Sequence, residues 1–250
     1  MPHSEFQTNV PQSKSASADV ETRGLARRIQ HTLISNVLTE ALWDTHISEC
    51  ERYQFHAAMI PPACVKRTEE RLRGTEIRVA SFIDFPYGTM TSAAKAHEAK
   101  LLVDDGAQEI DLMPNVGFLL SSMEKEYFND IEGVVRAAGK IPVKIMLELP
   151  LLNEQQRDRA IALSIDAGAS YLKNASGGAV GVATPDQIRF LRAAAPPHIR
   201  VKASGGIKTA QQVRDLLAAG ADLVGTSSGV RIMQELLPQA TTPTGKPSDY

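Results

Sequence analysis

Lys173 and Lys202 stand in matching settings. Each closes a short strand-like run and is followed by a small, polar, glycine-bearing segment, Asn174-Ala175-Ser176-Gly177 in one case and Ala203-Ser204-Gly205-Gly206 in the other. A helix start comes next, at Thr184-Pro185 and at Thr209. A lysine beside a second cation can lose its proton near neutral pH and become a nucleophile. Backbone N–H groups in a glycine-bearing loop ahead of a helix hold anions. A nucleophilic amine next to an anion cradle is therefore the chemistry that these spacings allow.

The elements that position these residues repeat along the chain. Apolar runs bounded by turn residues predict strands at 29–34, 56–60, 77–83, 109–113, 143–148, 171–173, 200–203 and 223–225. Helical patterns lie between them at 39–51, 62–74, 91–105, 121–138 and 153–167, then from 184, from 209 and over 228–237, with a short helix at 19–28 ahead of the first strand. Strand–helix units at roughly 30-residue spacing predict the α/β class and a single (β/α)8 TIM barrel. A doubly wound open sheet is the runner-up, but no Gly-x-Gly-x-x-Gly follows the first strand. Residues 19–237 form the barrel, 1–18 a disordered arm rich in Ser, Gln and Pro, and 238–250 a flexible tail.

Side chains alternate faces along a strand. Ile110 and Leu112 therefore oppose Glu109 and Asp111, and Val143, Ile145 and Leu147 oppose Lys144, Met146 and Glu148. Tyr171 and Lys173 oppose Leu172, and Arg200 and Lys202 oppose Val201 and Ala203. Helices cover the outside of a barrel, so the aliphatic faces point outward and the charged faces point in. Asp111, Lys144, Glu148, Lys173 and Lys202 would then meet near the C-terminal strand ends. Buried charges must pair, and their concentration there is the mark of an active site.

The totals narrow the function classes. The chain has 250 residues, 43% hydrophobic and 22% charged, with a net charge of −2. This balance excludes a nucleic-acid footprint. Two cysteines, Cys50 and Cys64, make neither a disulfide framework nor a metal cluster. No apolar run has the roughly 20 residues that a membrane span needs, and the first 20 residues lack a signal-peptide core. The cytoplasm is the expected compartment.

The residues so assembled resemble those of deoxyribose-phosphate aldolase, a class I, Schiff-base aldolase family on a (β/α)8 barrel. The likeness runs over about residues 29–230 and is densest at Glu109-Ile110-Asp111, Tyr171-Leu172-Lys173 with Gly177, Lys202-Ala203-Ser204-Gly205-Gly206-Ile207 and Gly225-Thr226-Ser227-Ser228-Gly229-Val230. The resemblance makes Lys173 the imine-forming lysine, Lys202 the neighbouring cation that lowers its pKa, and Asp111 the acid/base group. Lys144, Glu148 and Thr32 fall on supporting positions. Ser176, Gly177, Gly205, Gly206, Ser227 and Ser228 fall where substrate and phosphate bind. Some members of the family end in a tyrosine, as this chain does at Tyr250, and a tail of a dozen residues reaches back about 20 Å.

The implied substrate is a small aldehyde or sugar phosphate, with no cofactor. No metal is expected at Glu109, Asp111 and Glu148, because lysines are interleaved with them and no histidine joins them on these strands. A homo-oligomer, dimer or tetramer, stays open. Departures from the family pattern are Gln30 for an aspartate ahead of His31-Thr32-Leu33, Met59 for a common cysteine, Leu149-Pro150 after Glu148, and Asn174-Ala175 for two hydroxyl residues after Lys173. They leave two alternatives: a related Schiff-base aldolase or synthase for another aldehyde, phosphorylated or not, or a barrel that binds a sugar phosphate without catalysis.

Overall fold

Eight short runs rich in β-branched and aliphatic residues pair side by side in chain order: β1 (Ile29–Thr32), β2 (Ala57–Met59), β3 (Arg78–Ile83), β4 (Glu109–Leu112), β5 (Val143–Met146), β6 (Tyr171–Lys173), β7 (Arg200–Ser204) and β8 (Leu223–Thr226). The structure, a computed structural model, describes residues 21–236. All pairs are parallel, and β8 pairs with β1 to close the barrel. The arm at 1–18 and the tail at 238–250 with Tyr250 lie outside the described residues.

Helices connect the strands, and the first residues of several predicted helices turn out to be their N-caps. Thr39 caps α1 (Glu40–Tyr53) by accepting from the Leu42 N–H at 3.2 Å. A single 3-10 turn (Pro62–Cys64) leads into α2 (Val65–Leu72), and Thr91 caps α3 (Ser92–Asp104). Asn153, Thr184 and Thr209 form reciprocal capping boxes with Gln156, Gln187 and Gln212 ahead of α6 (Glu154–Asp166), α7 (Pro185–Ala194) and α8 (Ala210–Ala218). The chain returns to the barrel through α9 (Gly229–Leu236).

Two elements differ from the expectation. The helix predicted over 121–138 starts only at Glu124, as α5 (Glu124–Ala138), and a short unpredicted helix, α4 (Val116–Leu120), precedes it; Ser122, at a left-handed φ of 59° that no α-helix continues through, separates the two. The strand predicted over 143–148 stops at Met146, and Glu148, at φ 52°, begins a 3-10 turn.

The two faces of the barrel strands divide as alternation requires. Ile110, Leu112, Val143, Ile145, Leu172, Val201 and Ala203 are buried in the main hydrophobic core between barrel and helices. Ala57, Met59 and Ala80, with Phe82, form a separate apolar cluster inside the barrel on the β2–β3 side. The opposite side of the interior is charged. In register, Asp111 lies beside Lys144, Met146 beside Lys173, and Lys173 beside Lys202.

Candidate active site

One carboxylate gathers three lysines. Asp111 Oδ2 accepts from Lys173 Nζ at 2.8 Å and from Lys202 Nζ at 2.6 Å, while Lys144 Nζ stands 3.2 Å from Oδ1. One layer deeper, Glu109 lies 2.8 Å from Lys144, 2.8 Å from His56 and 3.0 Å from Arg78. Gln30 joins the layers: its side-chain oxygen accepts from Lys202 and its amide donates to Glu109. An aspartate at this position would add a third negative charge to the cluster; the neutral amide bridges it instead. Gly225 makes room for Lys202, since a Cβ there would lie 2.9 Å from its Cε.

These contacts set the charge states. Burial alone would raise the Asp111 carboxyl, but the charges of Lys173, Lys202 and Lys144 outweigh it and hold the group far below the usual carboxylate range. Glu109 is likewise held low, burial being overcome by Lys144 and His56. Lys202 goes the other way. Burial lowers it, Asp111 opposes, and the like charges of Lys173 and Lys144 add to the fall, bringing it from 10.5 to about 7.

The loops around this cluster are cross-linked. Asn174 accepts from the Ser204 N–H at 2.8 Å and donates to the Ser204 carbonyl at 3.1 Å, and Ser204 Oγ donates to the Ala175 carbonyl at 2.6 Å. The asparagine after Lys173 is thus turned towards the neighbouring strand end. Glu148 accepts from the Ser176 N–H. Burial raises its carboxyl against the pull of that N–H and of Lys173. Gly205, at φ 114°, runs so close to the loop after β6 that a Cβ would lie 2.4 Å from the Gly181 carbonyl oxygen. Thr226 Oγ1 donates to the Ile207 carbonyl at 2.6 Å and accepts from the Ser228 N–H at 2.9 Å, so the loops after β6, β7 and β8 share one mouth.

The mouth is a cleft of about 840 Å³. Asp111, Lys173, Lys202, Thr32, Ser176, Gly177, Gly205, Gly206, Ser227 and Ser228 all line it. Met59, Phe82, Phe85 and Tyr87 supply an apolar wall. Two expected site residues stand behind this lining. Lys144 is fully buried beneath Asp111, and Glu148 leaves the strand plane in its left-handed turn and holds the Ser176 loop from behind. Gln30 and Asn174 were noted from the sequence only as departures from the family pattern, and Ser204 only as part of a glycine-bearing segment; none was given a role in the site. Gln30 could have been given one, since it shares the inward face of β1 with Thr32. His31, His46 and Glu49 also reach the cleft and were missed.

Comparison with known proteins agrees with this geometry. The model of the DeoC/LacD family aldolases matches residues 46–235. A deoxyribose-phosphate aldolase of Staphylococcus epidermidis is 38% identical over 211 residues, 84% of this chain and 96% of that protein. One from a Geobacillus strain is 38% identical over 211 residues, 84% of this chain and 95% of its own. The tetrameric deoxyribose phosphate aldolase of Aeropyrum pernix superimposes with a TM-score of 0.78 at 28% identity, covering 90% of this chain and 98% of that one.

Proposed function

The chain belongs to the DeoC/LacD family of aldolases, and on that premise we propose that it is a class I aldolase cleaving 2-deoxy-D-ribose 5-phosphate reversibly to acetaldehyde and D-glyceraldehyde 3-phosphate. One observation carries the reading: Lys173 and Lys202 donate to the same oxygen of Asp111 at the floor of the cleft. Burial and its lysine neighbours bring Lys202 to about 7, and a neutral Lys202 can take a proton from Lys173 across the oxygen that both contact, which frees the Lys173 amine to attack.

The neutral Lys173 amine adds to the C1 aldehyde of the open-chain sugar. The carbinolamine loses water and becomes a protonated imine, an electron sink one bond from C2. Asp111, acting through water, takes the C3 hydroxyl proton. The C2–C3 bond then breaks, its electrons form the enamine, and glyceraldehyde 3-phosphate leaves. Protonation of the enamine at C2 and hydrolysis of the imine release acetaldehyde and return Lys173. The phosphate rests on the Gly205-Gly206 and Ser227-Ser228 loops, the position after strands seven and eight where barrels commonly hold one. Lys144 and Glu148 support this set without touching substrate, one beneath Asp111 and one behind the Ser176 loop.

Trapping tests the assignment. Borohydride reduction in the presence of acetaldehyde, followed by peptide mass mapping, is expected to place the adduct on Lys173. An adduct on Lys202 or Lys144 overturns the assignment, and a protein that forms no adduct is a sugar-phosphate-binding barrel instead. A second reading, an aldolase for an unphosphorylated aldehyde, is favoured by Asn174 turning from the cleft to Ser204. Turnover of deoxyribose with and without its phosphate separates the two. The expected compartment is the cytoplasm, and no helix among the described residues is long and apolar enough to cross a membrane. A homo-oligomer is the expected assembly, by likeness to the tetrameric relative.

A further inference from the structure

β1 turns Gln30 and Thr32 into the barrel and so turns His31 outward, towards α1 and α9. His31 Nε2 lies 2.9 Å from Glu49 Oε2. Its ring stacks on that of His46, with centroids 4.5 Å apart and planes 21° apart. His46 and Glu49 are three residues apart on α1 and so project from one helix face. Both imidazoles are almost wholly buried, at 3% and 4% exposure. One donor atom from each of the three side chains lies within 4.8 Å of the other two. Gly229 is fitted to the cluster, since a Cβ there would lie 2.7 Å from His31 Nδ1.

A strand-to-helix packing contact accounts for the stacking but not for the polar atoms. Apolar side chains surround the pair, among them Ile29, Ile47, Ile232 and Phe55, whose ring lies 4.9 Å from that of His31. The two rings are weakly satisfied: His31 Nδ1 makes no well-formed hydrogen bond among the described residues, although the Thr226 backbone is near the ring, and the His46 ring has the His31 backbone and a weak contact of 3.9 Å to Cys50 Sγ. Buried polar atoms left this way call for an ion or a water. The cluster also has an entry path: His31, Thr45, His46 and Glu49 line the wall of the cleft beside Ser227 and Ser228.

We propose that His31, His46 and Glu49 form a binding site for one divalent transition-metal ion of the zinc class, open to the cleft. Two imidazoles and one carboxylate are a donor set that such ions take, and three protein ligands leave a coordination position free. Donors about 2.1 Å from a tetrahedral ion lie about 3.4 Å from one another. The His31–Glu49 pair already lies inside that distance. Drawing in the third donor, from at most 4.8 Å, is a movement that the half-exposed Glu49 side chain can share. The ion replaces the proton held between His31 Nε2 and Glu49. This site lies on the outer side of β1, whereas the Asp111 cluster lies inside the barrel, so it stands whether or not Lys173 is the imine-forming lysine. The sequence reading expects no metal and weighs only the strand carboxylates; this group draws on two residues of α1 instead.

The experiment is isothermal titration of the metal-stripped full-length protein with zinc chloride, repeated with cobalt chloride while recording the visible ligand-field spectrum. One ion per chain is expected. Glu49→Gln, which keeps shape and hydrogen bonding but removes the charge, is expected to weaken binding at least tenfold and to change the cobalt spectrum. His46→Ala is expected to abolish binding. His97→Ala and His198→Ala, at exposed histidines away from the cluster, are expected to bind as the parent does. Circular dichroism of each metal-free variant establishes its fold, and if His46→Ala does not fold, Glu49→Gln decides alone. A parent protein that takes up no ion, or a folded Glu49→Gln that binds it equally well, overturns the proposal.

Discussion

Lys202 is the side chain whose chemistry depends most on its surroundings. Burial and two neighbouring lysines bring it to about 7. The rate of imine formation is therefore expected to rise with pH through about 7, as the lysine pair gives up a proton. Lys202→Leu is expected to move or remove that limb of the kcat/KM profile; a fall in activity with the limb unmoved reduces Lys202 to packing. Stability follows the same proton. Between pH 7 and 10.5 the unfolded chain keeps a proton on Lys202 that the folded chain has released, so unfolding takes one up and stability from this group rises with pH. Urea unfolding at several pH values across that window is expected to show the wild type gaining on Lys202→Met, by no more than about 1.4 kcal/mol per pH unit. A flat or inverted difference refutes the assignment of that proton to Lys202.

At the phosphate end, Ser227→Asp places a negative charge on the loop assigned to the phosphate. Charge-assisted hydrogen bonds are worth about 1.5–3 kcal/mol each. KM for deoxyribose 5-phosphate is expected to rise at least tenfold, and KM for plain deoxyribose hardly at all. Equal changes would place the phosphate elsewhere. These residues were legible because strand alternation alone sorts Asp111, Lys144, Lys173 and Lys202 onto one face. Gln30 and Asn174 showed only as departures from the family pattern, because a neutral amide reveals its role only through the partners that it finds on other strands. His31 was hidden for a related reason: its partners lie on the following helix.

Among elements, the loop between β3 and α3 depends most on a single buried pair. Lys95 Nζ donates to Asp130 at 2.7 Å, to the Gly88 carbonyl at 2.9 Å and to the Met113 carbonyl at 3.1 Å. Asp130 also accepts from Ser92 Oγ at 2.7 Å and the Asn115 N–H at 2.9 Å. The pair ties the loops after β3 and β4 together, and with them Phe85 and Tyr87 of the cleft wall. Lys95 Nζ also stands 3.3 Å from Asp84, so Lys95→Met takes the cation from two carboxylates and is expected to destabilise the protein by about 3–5 kcal/mol. Lys95→Met with Asp130→Leu is expected to recover part of that loss, and chemical denaturation measures both. A single variant as stable as the parent denies the pair this role. The pair was invisible in the sequence because its members belong to helices separated by β4. Helix starts were visible, since Thr39, Thr91, Asn153, Thr184 and Thr209 carry their capping chemistry with them. The start of α5 was placed three residues early and α4 was missed, because Ser121-Ser122 carries no proline or glycine to mark the gap between the two helices.

At the scale of the whole molecule, the barrel interior is divided. Ala57, Met59, Ala80 and Phe82 make one side apolar, and the Asp111 and Glu109 cluster makes the other charged. The spacing of strands and helices was enough to foresee eight units and their closure, because each strand–helix unit must bury its aliphatic face against the next. That β1 would meet β8 follows from the same repetition once eight units are counted.

The closing contact has a consequence for how the chain is made. Arg28 and Val224 are hydrogen-bonded neighbours, with the Val224 N–H donating to the Arg28 carbonyl at 2.8 Å, although nearly the whole barrel separates them along the chain. A ribosome builds β1 early and β8 late. Until β8 emerges, β1 and β7 both present open edges to every other growing chain, and such edges invite association. In a ribosome-stalling force assay, the pulling signal of final folding is expected only when β8 has left the exit tunnel, and chains stopped before it are expected to need chaperones to stay in solution.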